Sequence, residues 1–178
     1  LVSDSGGKIF DRFRGRVMYP IIDHKNNVIG FGGRTLEKDA PAKYLNTAEN
    51  LVYKKGQNLY ALHYAKNSKR KEIILCEGYM DVISLHQNGF DNAVASCGTA
   101  LTPDQARLLR RYTEDVVLCY DSDEAGTRAA LRAVPILREA GISAKVVRMD
   151  PYKDPDEFIK ALGAEEYQKR IDEAENSF

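Results

Sequence analysis

From Lys71 onward the chain alternates short apolar runs with longer amphipathic stretches. Ile73-Ile74-Leu75-Cys76, Ala93-Val94-Ala95-Ser96, Val116 to Tyr120 and Ser143 to Met149 have strand length and bury well on both faces. The stretches between them carry helix punctuation. Glu77-Gly78-Tyr79-Met80-Asp81 turns into a helix reaching about Asn88, with Gly89 as its stop. Thr102-Pro103-Asp104-Gln105 combines a capping box with proline at the first helical position. A third helix spans about Ala125 to Ala140, with a kink expected at Pro135 and a stop at Gly141. One or two polar helices follow Asp154-Pro155-Asp156-Glu157. This alternation predicts an α/β fold with a mainly parallel four-stranded sheet flanked by helices.

The first 70 residues have another texture. Leu1 to Lys8 is polar and Gly-containing and reads as loose chain. Arg12, Arg14 and Arg16 alternate, so an extended backbone aligns them on one face. Val17 to Asp23 and Val28 to Arg34 read as strands joined through Asn26-Asn27, residues that tolerate positive φ, which predicts a β-hairpin. Gly30-Phe31-Gly32-Gly33 leads into a polar loop, not a helix, so it is no dinucleotide fingerprint. It marks a bulge or the close approach of another backbone. Pro41 to Gly56 reads as a loop in which Lys43-Tyr44 and Tyr53-Lys54-Lys55 set lysines beside tyrosines. Such pairs suit a single-stranded nucleic-acid groove, and equally suit lysine stems lying over half-buried rings. Asn58 to Lys66 reads as a short helix with Leu59, Leu62 and a structural His63 inward.

Composition adds bounds. The chain has 178 residues, 43% hydrophobic and 29% charged, without a membrane-length apolar run or a signal peptide pattern. It opens at Leu1 rather than Met, which reads as part of something longer. Cys76, Cys97 and Cys119 form no Cys-x-x-Cys pair and sit at or just past strand ends. They are expected as small buried hydrophobes in a reducing cytoplasm. Net charge is zero, yet residues 1–71 carry +8 and residues 72–178 carry −8. A polyanion-binding platform beside an acidic pocket has that asymmetry.

The acids gather where a parallel sheet binds ligands, at the carboxyl ends of its strands. Glu77 ends the first strand, Asp121 and Asp123 the third, and Asp154 and Asp156 lie beyond the fourth. Asp81 falls in the first turn after Glu77. In extended chain Asp121 and Asp123 point the same way. Carboxylates so close repel, and one is pushed to protonate unless a cation compensates; oxygen-only donors suit Mg²⁺ or Mn²⁺. Taken singly the acids have plainer roles: Asp154 as a helix cap, Asp81 as a charge on a helix N-terminus, and the 121–124 run as a solvated loop. An EF-hand is excluded, because its fifth and twelfth loop positions are Ala125 and Arg132.

Glu77-Gly78-Tyr79-Met80-Asp81 together with Tyr120-Asp121-Ser122-Asp123-Glu124-Ala125-Gly126 resembles the Toprim signature of bacterial (DnaG-type) DNA primases. The likeness extends through Arg12-Phe13-Arg14-Gly15-Arg16, Gly30-Phe31-Gly32-Gly33-Arg34, Lys43-Tyr44-Leu45-Asn46, Lys55-Gly56 and Asp154-Pro155-Asp156. It covers essentially the whole chain. It implies three parts: a basic N-terminal subdomain at 1–71, a Toprim domain at 72–150, and an acidic loop with a helical segment at 151–178.

The resemblance also implies a reaction, synthesis of RNA primers on a single-stranded DNA template from NTPs. Glu77, Asp81, Asp121, Asp123, Asp154 and Asp156 correspond to metal-binding acids, with Glu77, Asp121 and Asp123 catalytic. Arg12, Arg14, Arg34, Lys43 and Lys55 correspond to residues near template DNA or nucleotide. Zinc is expected only in a missing N-terminal module. Replicative helicase and single-strand-binding protein are expected to dock through regions missing here, and no membrane is involved. A cytoplasmic, replisome-associated setting follows. Two rivals are a Toprim nuclease or topoisomerase fragment, which shares the acids, and a phosphoacceptor receiver domain. A receiver needs a lysine at a late strand end, whereas Lys145 begins its strand.

Overall fold

The structure is a computed structural model that describes residues 2–174. The opening segment is ordered, against the expectation of loose chain. Strands β1 (Val2–Ser5) and β2 (Lys8–Asp11) form an antiparallel hairpin. Gly6 and Gly7 make its two-residue turn, both at positive φ as such a turn requires. The three alternate arginines do not share an extended face. Arg12 and Arg14 lie in the turn after β2, and Arg16 begins the next strand.

Strands β3 (Arg16–Ile22) and β4 (Val28–Thr35) form the expected hairpin, with Asn26 at φ 70° in the turn. The Asp23 carboxylate accepts hydrogen bonds from the backbone N–H groups of Lys25 and Asn27, closing that turn. A third strand, β5 (Tyr44–Asn46), adds to the far edge of β4, in a segment that read as loop. Its apolar signal is only three residues long, and pairing rather than propensity makes it a strand. The glycines of β4 do mark close approach, but by side chains. A Cβ on Gly32 would lie 2.6 Å from the Tyr79 ring, and one on Gly33 would lie 2.7 Å from Phe13. The irregularity in register falls instead between Ile21 and Ile22.

A single 3-10 turn (Lys55–Gln57) and a short helix, α1 (Leu62–Ala65), bridge to the second sheet. That sheet comprises β6 (Ile73–Cys76), β7 (Ala93–Ala95), β8 (Asp115–Leu118) and β9 (Ser143–Val146), in the order β7-β6-β8-β9. All three pairings are parallel. Helices α2 (Tyr79–Gln87), α3 (Pro103–Arg110), α4 (Glu124–Glu139) and α5 (Pro155–Asp172) complete the layers. Helix α4 runs through Pro135 without a break. Leu131 and Pro135 are both exposed, so the carbonyl that loses its donor faces water. Gly163, at φ 84°, splits α5 into two helical segments.

Alternation along the buried strands builds two cores. Ile74, Cys76, Ala93, Ala95 and Val117 pack with α2 and α5 through Val82, Leu85, Phe158 and Tyr167. Ile73, Leu75, Val94, Val116 and Leu118 pack with α3 and α4 through Ala106, Leu109, Ala133 and Leu137. Each fully buried Leu or Ile contributes about 1.5–3 kcal/mol. Ile21 and Tyr53 belong to the first of these cores, so the antiparallel sheet seats on the α2 side. The three cysteines are free and buried, as small hydrophobes. Among the described residues no helix is long and apolar enough to cross a membrane.

Candidate metal and nucleotide site at the sheet edge

Four parallel strands end at one edge, and the chain leaves that edge through acidic turns. The turn after β8 is held by packing against its own helix. Any Cβ at Gly126 would overlap the carbonyl oxygen of Asp121, so only glycine lets α4 start this close. The N–H of Asp121 donates to Glu77 Oε1 at 3.2 Å, which ties the first and third strand ends together. The loop after β9 is pinned to the same turn. Ser122 N–H donates to the Lys153 carbonyl at 2.7 Å, and Met149 N–H donates to Ser122 Oγ at 3.3 Å.

A cavity of about 460 Å³ opens above these turns. Glu77, Asp81, Asp121, Asp154 and Asp156 line its acidic wall, with Lys153 and Glu157 among them. Arg34, Lys43, Tyr44 and Asn46 from the antiparallel sheet line the other side. Tyr79 locks the two sheets together. Its hydroxyl donates to Asn46 Oδ1 at 2.7 Å, its ring stacks on Tyr19 at 5.3 Å, and it meets Tyr60 edge-on at 4.7 Å. The Arg34 guanidinium lies over the Tyr44 ring, 5.8 Å from its centre.

The acids are held in mutual conflict. Burial first, then the Asp154 and Asp121 carboxylates, push Asp81 from its ordinary 3.8 up to about 7. Hydrogen bonds from the N–H groups of Gly78 and Asp156 oppose that shift without cancelling it. Burial, Glu77 and Asp154 likewise push Asp121 up to about 6, against the pull of Lys153. Asp154 also caps α5, accepting from Glu157 N–H at 2.8 Å. Asp156 pairs through Oδ2 with Lys160 at 2.6 Å, while its Oδ1 is buried with no hydrogen-bond partner.

Asp123 does not line the cavity, although its charge adds to the upward push on Asp121. The chain bends at Ser122-Asp123, where α4 begins. The Asp123 carboxylate turns outward and caps α4 through Gly126 N–H at 2.8 Å. Arg12, Arg14 and Lys55 also lie outside the lining of the cavity. The N–H of Lys55 donates to Glu49 and its carbonyl accepts from Gln105, so its backbone serves the 3-10 turn. Conversely, the sequence reading passed over Lys153, Glu157 and Tyr79 as site residues. A lysine directly preceding Asp154-Pro155-Asp156 was a usable signal; the reach of Tyr79 to a glycine 47 positions earlier was not.

The donor set fits a divalent cation by its chemistry: oxygen ligands only, charges in repulsion, and one carboxylate oxygen buried and unsatisfied. Among the described residues, no three acidic, His or Cys side chains are gathered into a ready coordination shell.

Residues 74–159 match the model of a Toprim-like family, and residues 1–66 match that of the DNA primase catalytic core, N-terminal domain. The chain is 51% identical over 175 residues to the DNA primase of Clostridium acetobutylicum, covering 98% of this chain and 29% of that protein. The crystal structure of the Aquifex aeolicus primase (zinc-binding and RNA polymerase domains) superposes with a TM-score of 0.92 at 42% identity. That match covers 98% of this chain and 44% of that one. A DnaG primase catalytic domain bound to single-stranded DNA superposes at 0.90 with 39% identity, covering 98% of this chain and 56% of that one. Fold and site together define a Toprim-type α/β module joined to a basic antiparallel sheet. The chain belongs to the bacterial DNA primase family, whose members work in DNA replication and depend on divalent metal. It spans between 28% and 36% of the length of such curated relatives.

Proposed function

We propose that the chain forms part of a primase catalytic core that makes short RNA primers on single-stranded DNA from NTPs. The observation that carries this reading is the single cavity that faces an acidic wall toward Arg34 and Lys43. A triphosphate carries too much negative charge for the acids alone and too much for the basic wall to hold in place unaided. Mg²⁺ or Mn²⁺ held by Glu77, Asp81, Asp121, Asp154 and Asp156 would lower the pKa of the primer 3′-hydroxyl and neutralise the departing pyrophosphate. The chain's own residues do the rest. Glu77, bonded to the Asp121 N–H, fixes the turn that presents Asp121. Arg34 and Lys43 hold outer phosphates, and the Tyr79-Asn46 hydrogen bond keeps their sheet in register with the acids. Asp123 stabilises the start of α4 from outside the cavity.

Residues 1–71, 72–150 and 151–178 then divide the work: template and phosphate contacts, the acidic strand ends, and the loop and helix supplying the last acids. Arg12 and Arg14 extend the basic surface along which template runs toward the cavity. A nuclease or topoisomerase would share the acids, but the match of residues 1–66 to a primase core domain favours polymerisation. Helicase and single-strand-binding protein belong to the whole protein's partners in this reading. The test is incubation of single-stranded template with labelled NTPs and Mg²⁺ or Mn²⁺, using the chain alone and joined to the N-terminal portion of a primase core. Template-dependent RNA products that vanish in Asp121→Asn support the reading. Template cleavage without NTP incorporation overturns it.

A further inference from the structure

Lys153 stands where neither the acids nor the basic wall need it. It is the cation on the acidic side of the cavity, with Nζ 3.8 Å from Asp121 Oδ2. Its backbone is fixed at both ends: the carbonyl accepts from Ser122 N–H at 2.7 Å, and the N–H donates to Glu157 Oε2 at 3.2 Å. Its side chain is not fixed, being 60% exposed against 23% for Asp121. A firmly rooted, free-ended cation beside a half-buried acid can change partner without moving the loop.

We propose that Lys153 is a stand-in cation: it balances Asp121 until a divalent ion arrives, and then swings across the cavity to hold a nucleotide phosphate. This rests on the reading that the cavity takes a divalent ion and an NTP. The two states follow from charge. A divalent ion on Asp121 repels the ammonium that was its counterion, and an arriving triphosphate offers that ammonium a new partner. Arg34 and Lys43 approach the triphosphate from one side, and Lys153 closes on it from the other. Metal affinity is thereby lowered in the empty protein and nucleotide affinity raised in the loaded one.

Removing Lys153 should therefore move two affinities in opposite directions. In Lys153→Ala, Mn²⁺ binding to the chain without nucleotide, read from the free-ion paramagnetic resonance signal, should tighten about two- to five-fold. Binding of a fluorescent ATP analogue at saturating Mn²⁺ should weaken about tenfold. Lys153→Arg should stay near wild type in both. Lys169→Ala is the control, because Lys169 pairs with Glu166 at 3.2 Å and neither lines the cavity. It should leave ATP affinity unchanged. Losses in both affinities would mean that Lys153 only tethers its loop, and no change in either would mean that it is idle. Equal ATP weakening in Lys169→Ala would reduce the effect to net charge. Each of these overturns the proposal while leaving the site reading intact. Failure of wild type to bind Mn²⁺ overturns both.

Discussion

Asp81→Asn should stabilise the metal-free protein, by an amount that grows as pH rises from 3.8 to about 7. Asp81 is 8% exposed and faces Asp154 and Asp121, which with burial raise it to about 7 from 3.8. Between those values the folded chain binds a proton that the unfolded chain has released. Stability therefore falls as pH rises through that window, and the full cost is present above about 7. The difference between 3.8 and about 7, at 1.36 kcal/mol per pH unit, bounds that cost at about 4 kcal/mol. Water entry and side-chain relaxation in an open cavity reduce it, and about 2 kcal/mol is expected. An asparagine keeps an oxygen to accept from the N–H groups of Gly78 and Asp156 and carries no charge at any pH. Urea denaturation of both proteins in EDTA at pH 3.5 and pH 8 reads the effect. The mutant should be more stable by about 2 kcal/mol at pH 8 and nearly equal at pH 3.5. Adding Mn²⁺ at pH 8 should stabilise wild type and help the mutant much less. A destabilised mutant at pH 8, or a gain independent of pH, would refute the reasoning.

Gly126→Ala forces a methyl into the Asp121 carbonyl, so thermal melting should show a loss of about 2 kcal/mol or more, and Mn²⁺ affinity should fall with it. Asp123→Ala should cost about 1 kcal/mol of helix capping, which Asp123→Asn largely restores, with Mn²⁺ affinity falling less than in Asp121→Asn. Single-stranded DNA should bind mainly through phosphates, with a log–log salt slope near −0.7 per phosphate neutralised. Combined charge reversal at Arg14 and Lys43 should weaken all sequences alike in a fluorescence anisotropy titration, and a salt-independent affinity would count against the basic surface.

The parallel sheet was legible because β6, β7 and most of β8 are buried on both faces and read as apolar runs, set apart by helix signals such as Gly89 or Thr102-Pro103. Strand ends then followed, and with them the gathering of Glu77, Asp81, Asp121, Asp154 and Asp156. What sequence concealed was set by tertiary contact. Strand β5 exists because β4 offers it an edge, and the β1–β2 hairpin because two glycines supply positive φ. Asp123 was misplaced by assuming extended chain through Ser122, where a helix start competes for its carboxylate and bends the backbone. The resemblance puts Lys55 near template or nucleotide; it lies outside the cavity lining, and its backbone is held by Glu49 and Gln105. Tyr79 carries the contact between the two sheets, and nothing local to its helix announces a partner at Gly32.

The central claim, that the sheet-edge carboxylates hold divalent metal, is tested most directly by Mn²⁺ titration calorimetry. The comparison is wild type against the Asp81→Ala, Asp121→Ala double variant at pH 8, with circular dichroism confirming that both are folded. Saturable binding in wild type that is lost in the variant is the predicted result; equal heats in the two proteins would contradict it.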